Sequence, residues 1–247
     1  ADVIEGIDLK GKTAVITGAS AGLGVETARC LAGAGARVVM VARDADRLAA
    51  ARAGILQQLP DAQLDTALLD LADLASVRAA ATDIVQRFAK IDLLINNAGV
   101  MACPQGTTAD GFELQFGTNH LGHFLFTCLL MPAVLAAAPA RIVTLSSAAH
   151  KFSGIDFADP NYTQRNYDKW QAYGQSKTAN ALFSVALNAR LASRGVTANA
   201  VHPGMIVTEL GRHLDQTDIE GLQARAGSMK MDFKSIELLE NYLWEVL

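Results

Sequence analysis

The chain has 247 residues, 51% of them apolar, with 21 Lys and Arg against 25 Asp and Glu and a net charge of −4. Such a composition excludes a disordered or low-complexity polymer and can fill the core of one domain spanning residues 1–247. A pI near 5.7 gives no general attraction to phosphate backbones, so nucleic acid is not an expected partner.

Cys30, Cys103 and Cys128 lack metal-ligand spacing and read as free thiols of a reducing compartment. The longest apolar run, Phe124 to Ala138, contains Pro132 and falls short of the ~20 residues that cross a bilayer, so no membrane span is expected. The opening Ala1-Asp2-Val3-Ile4-Glu5 lacks the layout of a secretion signal, and the expected location is cytoplasmic.

In chain order, strand patterns at 13–17, 37–41, 64–69, 93–96, 141–146 and 196–201 alternate with helical ones. The helices are expected at 22–34, 44–58, 76–88, within 110–138, and at 172–192. Runs such as Val38-Val39-Met40-Val41 are continuously apolar, as in a parallel sheet covered on both faces. The expected fold is therefore α/β, a doubly wound (Rossmann) parallel sheet ordered 3-2-1-4-5-6. Ligands bind beyond the carboxyl ends of its strands, where the order reverses.

The first strand runs into Thr17-Gly18-Ala19-Ser20-Ala21-Gly22-Leu23-Gly24 and then a helix. Gly18 permits the sharp turn, Gly22 a close approach to a pyrophosphate, and Gly24 tight helix–strand packing, with the helix N-terminus facing the anion. No Gly-Lys-Ser/Thr ending follows, which disfavours a P-loop nucleotidase. The second strand ends Val41-Ala42-Arg43, without the carboxylate that bonds the ribose of NAD(H). Arg43 suits a 2′-phosphate and Asp44 caps the next helix, so NADP(H) is the expected cofactor.

Further motifs follow in order: Asp70-Leu71, Asn96-Asn97-Ala98-Gly99, Asn119, Ser146-Ser147, Tyr173-x-x-x-Lys177 and Pro203-Gly204. Together with the glycine loop they resemble the short-chain dehydrogenase/reductase family. Asn119-His120-Leu121-Gly122-His123-Phe124 and Trp170 to Lys177 are similar to its retinol-dehydrogenase-like and WW-domain-oxidoreductase-like branch. The resemblance implies Asn119, Ser147, Tyr173 and Lys177 as catalytic residues. It gives Ser147 the substrate oxygen to hold, and it implies that Asn119 interrupts a helix and holds Lys177 through water. It also implies cofactor contacts from Gly18, Ser20, Gly22, Leu23, Gly24, Arg43, Tyr173 and Lys177. Asp70 and Leu71 would lie beside the adenine, and Asn97, Ala98 and Gly99 along the ribose. Pro203, Gly204, Ile206 and Thr208 would meet the nicotinamide end.

Tyr173 and Lys177 share one helix face. A free phenol, with a pKa of ~10, transfers protons slowly at neutral pH. An ammonium at ~4 Å and an effective dielectric of ~20 contributes about 4 kcal/mol, more than the about 2.7 kcal/mol that lowers a pKa by two units. The expectation is a phenol acidified by Lys177 and acting as general acid/base. Ser146 should point away from Ser147 into a structural role, and His120 and His123 read as packing residues rather than metal ligands.

The stretch between Ser147 and Tyr173 is long for the family and carries Phe152, Phe157, Tyr162, Tyr167 and Trp170, an expected wall of a lipophilic pocket. Residues 210–234 are the expected lid, and 235–247 reads as an atypical amphipathic helix where a closing strand would follow. The function expected is hydride transfer between NADP(H) and a small hydrophobic ketone, aldehyde or alcohol. A non-catalytic NADP(H)-binding regulator of the same fold is the alternative. A homodimer through 121–138 and 172–192 is the expected assembly.

Overall fold

The computed structural model describes residues 4–204, 206, 209–212, 214 and 216–218. Six strands alternate with helices: β1 (Thr13–Thr17), α1 (Gly22–Gly33), β2 (Arg37–Ala42), α2 (Ala45–Gln58), β3 (Leu64–Leu68), α3 (Leu74–Arg87) and β4 (Leu93–Asn96). Then come α4 (Leu114–Phe116), a π-helical turn (Gly117–Leu121), α5 (Gly122–Ala136), β5 (Ala140–Leu145), α6 (Lys169–Leu191) and β6 (Val196–Val201). The pairing is parallel throughout, in the order β3-β2-β1-β4-β5-β6, as the alternation implies.

Side chains alternate between the two faces of each strand, and both faces are covered. Val15, Leu94 and Ile142 pack against Phe126, Leu130 and Val134 of α5 and Ile84 of α3. Their neighbours Ile16, Ile95 and Val143 face the other way, toward the layer of Leu31 from α1 and Leu48 and Ile55 from α2. Each such side chain fully buried contributes roughly 1.5–3 kcal/mol, which explains why apolar residues occupy both faces of the central strands.

Helix starts follow their caps. Asp44 accepts from Arg47 N, Asp73 from Ala75 and Ser76 N, and Asp168 from Trp170 and Gln171 N. The last two place α3 and α6 earlier than apolar periodicity alone does. The helical run Leu114–Ala136, 23 residues, is long and apolar enough in composition to cross a membrane. It lies instead along the sheet, its inner face made of Phe126, Leu130 and Val134.

The register aligns Ile16 with Ile95, Asn96 with Thr144 and Leu145 with Val201. Residues that follow β1, β4, β5 and β6 thus emerge along one rim. The expected lid at 210–234 falls mostly, and the helix at 235–247 wholly, outside the described residues.

Candidate active site

At the rim, β1 turns at Gly18, whose φ is +70° and where a Cβ would stand 2.9 Å from Ala98 Cα. Only glycine suits both the backbone and the space. A Cβ on Gly24 would stand 2.3 Å from the Gly18 carbonyl oxygen and 2.8 Å from Asn97 Nδ2, so this glycine lets α1 press onto the loop. Gly22, also at positive φ, opens α1, while Ser20 and Leu23 are half-buried beside it. Ala21, the residue before α1, offers no side-chain cap, which leaves the helix N–H groups for an outside acceptor. The turn after β4 is tied to this loop. Thr17 Oγ1 accepts from Asn97 N at 2.9 Å and Ala98 N at 3.0 Å, and Asn97 Nδ2 donates to Thr17 O at 2.8 Å.

Beyond β2 and β3 lies a cleft of about 520 Å³ lined by Arg43, Asp44, Ala45, Leu68, Leu69, Asp70 and Ser76. Arg43 is exposed at its edge. Asp70 is held by Ser76 Oγ on its N–H, and its Oδ1 accepts from Ala72 N, which fixes the carboxylate at the cleft wall. Leu71 is different: its side chain is buried in the core and its carbonyl lies against Gly122, so the side chain is not offered to a ligand. Glycines, helix N-terminus and cleft fit a dinucleotide.

Ser147, Tyr173 and Lys177 converge beyond β5. Tyr173 is 4% exposed, and the Ser147 side chain acts on its hydroxyl in the direction that favours the phenolate. Ser147 Oγ also accepts from Ala149 N at 3.2 Å. Lys177, equally buried, has its amine 5.5 Å from the Tyr173 ring centroid and donates to Leu145 O at 3.0 Å. Ser146 points the other way and donates to Lys177 O at 2.8 Å, locking β5 to α6. Burial pushes the Tyr173 phenol up to about 12, partly offset by Ser147, and pushes Lys177 down to about 8. This corrects the expectation that Lys177 acidifies the phenol. In the protein by itself, desolvation of the phenolate is the largest influence, and the amine, desolvated too, stands 5.5 Å from the ring centroid.

Asn119 sits in the π-turn, so the helix is interrupted at this residue. Its Oδ1 accepts from Val100 N at 2.8 Å, and Nδ2 donates to Val100 O and Ser176 Oγ, both at 2.9 Å. The side chain thus pins the Gly99 turn to α6. A Cβ on Gly99 would stand 3.0 Å from Asn119 Oδ1 and 3.8 Å from the Lys177 amine, so that turn adjoins the lysine. Pro203, Gly204 (φ +86°) and Ile206 follow β6 at the rim, half-buried, and Thr208 lies outside the described residues.

Residues 12–219 match the family model described as short chain dehydrogenase. The chain belongs to the short-chain dehydrogenase family. Human retinol dehydrogenase 13 is 48% identical over 205 residues, 83% of this chain and 62% of that protein; this chain therefore spans under two thirds of that relative's length. Among solved structures, an uncharacterised protein from Mycobacterium paratuberculosis is 40% identical, with a TM-score of 0.74 over 95% of this chain and 82% of the other. The RhlG/NADP active-site complex of Pseudomonas aeruginosa is 26% identical, with a TM-score of 0.75 over 96% and 89%.

In this short-chain dehydrogenase the aromatic stretch after Ser147 is not a single wall. Phe157 is 83% exposed, whereas Tyr162 is buried within the stretch, under Arg165 at 3.7 Å. Tyr167 accepts from Gln115 Nε2 and donates to Cys103 O or Glu113, so its hydroxyl is satisfied within the protein. Only Phe152 and Trp170, edge-to-face at 6.5 Å, remain as an apolar pair, with Trp170 Nε1 and the Lys169 amine both donating to Asp218. The misreading has a physical reason: aromatic spacing shows no period in an irregular loop, so it could not say which rings turn inward.

His123 is 1% exposed, donates through Nδ1 to Asn119 O and accepts at Nε2 from Thr17 Oγ1. It bridges the π-turn to the glycine loop. Among the described residues no group of three or more His, Cys, Asp or Glu is placed to hold a metal ion. Sequence reasoning left out Thr17, Ser176, Asn180 and His123 as site supports. Of these, only the alignment of Lys177 and Asn180 on one helix face was a usable signal.

Proposed function

We propose that this short-chain dehydrogenase moves a hydride between NADP(H) and a lipophilic aldehyde, ketone or alcohol, with Tyr173 as general acid/base. One observation carries the reading: a neutral buried phenol, Ser147 and a desolvated lysine meet beside a glycine loop at the carboxyl ends of the strands. The cofactor, when bound, supplies or accepts the hydride. Gly18, Ser20, Gly22, Leu23 and Gly24 would hold its pyrophosphate, Arg43 its 2′-phosphate, and Asp70 its adenine. Asn97, Ala98, Gly99, Tyr173 and Lys177 would face the ribose, and Pro203, Gly204, Ile206 and Thr208 the nicotinamide.

Tyr173, protonated at neutral pH, donates its hydroxyl proton to the substrate oxygen during reduction. Ser147 donates a hydrogen bond to the same oxygen, an oxyanion-type contribution of roughly 3–4 kcal/mol. The Lys177 amine, when charged, stabilises the phenolate left behind. A non-catalytic regulator has no use for a lysine held at a desolvation penalty beside a phenol, which weighs against that alternative.

The Phe152–Trp170 pair and the name of the 48% identical relative support a hydrophobic substrate. The free cysteines support a reducing compartment, and we place the enzyme in the cytoplasm. Exposed Phe124, Leu182 and Val185 on α5 and α6 support a homodimer across those helices. The test is turnover of a panel running from all-trans-retinal and long-chain aldehydes to small hydroxy acids, with NADPH and NADH in parallel. Activity confined to apolar carbonyls with NADPH supports the proposal. Activity on hydroxy acids alone, or none at all, overturns it.

A further inference from the structure

Among the described residues the Lys177 amine has one protein acceptor, the main-chain carbonyl of Leu145, at 3.0 Å. The same oxygen accepts a second hydrogen bond, from Asn180 Nδ2, also at 3.0 Å. Asn180 shares the lysine's face of α6 and is 2% exposed. A carbonyl can only accept, so the Asn180 amide must turn its NH₂ to Leu145 and its Oδ1 to His120, whose Nδ1 stands 3.2 Å away. His120 therefore carries its proton on Nδ1. Its ring is held by Phe116, Phe183 and Phe124, with centroids at 5.4, 5.8 and 6.1 Å. A row of hydrogen bonds thus runs from the π-turn across α6 to the end of β5 and ends at the lysine.

We propose that Asn180, held by His120, is a positioning residue for Lys177: it occupies one lone pair of the Leu145 carbonyl and limits the lysine's hold on that oxygen. The remaining N–H bonds of the amine are thereby kept for the side of Tyr173 and Gly99. An oxygen that accepts from both sides cannot pass a proton, so the row sets the position and charge of the amine and is not a proton path. With Asn180 removed, the undivided carbonyl becomes a stronger acceptor for the ammonium, and the charged form is favoured. The titratable groups around the amine are Tyr173 from α6 and His123 from α5, with His120 behind Asn180. Among the described residues, β4, β5 and the Gly99 turn bring none to it.

The inference rests on the reading of Lys177 as the partner of Tyr173, and the test separates the two. Lys177 is titrated through its side-chain nitrogen by NMR in the cofactor-free full chain. Asn180→Ala raises its midpoint by about one pH unit, the size of one hydrogen bond to a charge. His120→Phe shifts it in the same direction, and the double variant shifts it no further than Asn180→Ala alone. His120→Gln, which keeps a donor to Asn180, restores the midpoint. With all-trans-retinal and NADPH, Asn180→Ala lowers kcat several-fold at unchanged KM, and the pH limb of kcat moves with the midpoint. A Lys177 midpoint unmoved in both single variants, or shifts that simply add, overturns the proposal. Where Asn180→Ala does not fold, the two His120 variants decide it. A wild type inert toward retinal, with the midpoint still moving, overturns the substrate reading and leaves this one standing.

Discussion

Three ionisable side chains at the site are governed by burial. His123, enclosed between Thr17 and Asn119, is pushed down to about 4, and its neutral ring serves as one donor and one acceptor. The unfolded ring takes up a proton near 6.5 and the folded one near 4, so acidification through that window favours the unfolded chain. The folded protein should lose about 3 kcal/mol between those two pH values. Urea midpoints measured across the window check this, and a His123→Gln variant should flatten the profile; an unchanged slope contradicts it. Arg43 belongs to the same scale. It is exposed in the lining of the cleft that Asp70 also lines, and its proposed task is the 2′-phosphate. Arg43→Ala should weaken NADPH binding about tenfold, by loss of a charged hydrogen bond, and leave NADH unchanged. Fluorescence titration with both cofactors reads the difference.

At the scale of elements, the loop between Ser147 and α6 is ordered by one carboxylate. Asp159 accepts from Thr163 N and Oγ1, Gln164 N and Arg165 N. Gln175 of α6 completes the tie, accepting from Asp156 N and donating to Pro160 O. Asp159→Ala should free residues 156–168 and raise their hydrogen exchange at least tenfold, while NADPH affinity holds, because the cofactor residues lie on other loops. Exchange unchanged in that stretch would show that packing of Tyr162 alone orders it. The turn of this loop was not legible in the sequence, since Asp159 resembles any polar loop residue until Thr163, Gln164 and Arg165 close around it. The helices α3 and α6 were legible in kind, and their starts were not, because Asp73 and Asp168 decide the first turn and carry no apolar period.

At the scale of the whole molecule, strand order and the rim that gathers the site were legible. The apolar runs allow little but a covered parallel sheet, and Gly18 and Asn97 stand directly after a strand, with Ser147 two residues past the end of another. The acidity of Tyr173 was not legible, because it depends on how much water the fold removes from both partners, a property of the assembled core. The outer face of α5 and α6 leaves Phe124, Leu182 and Val185 exposed by 46%, 54% and 68%. With a second copy covering that face, sedimentation finds a dimer, and Leu182→Glu with Val185→Glu gives a folded monomer; a wild-type monomer contradicts the assembly.

The most direct test of the account is single-turnover reduction of all-trans-retinal by NADPH with Tyr173→Phe, which removes one buried oxygen and keeps the ring. NADPH affinity and thermal stability should stay near wild type while hydride transfer slows by ~10²–10⁴-fold, the range expected for losing a general acid. A variant that binds NADPH and still reduces retinal at the wild-type rate would contradict Tyr173 as the proton donor.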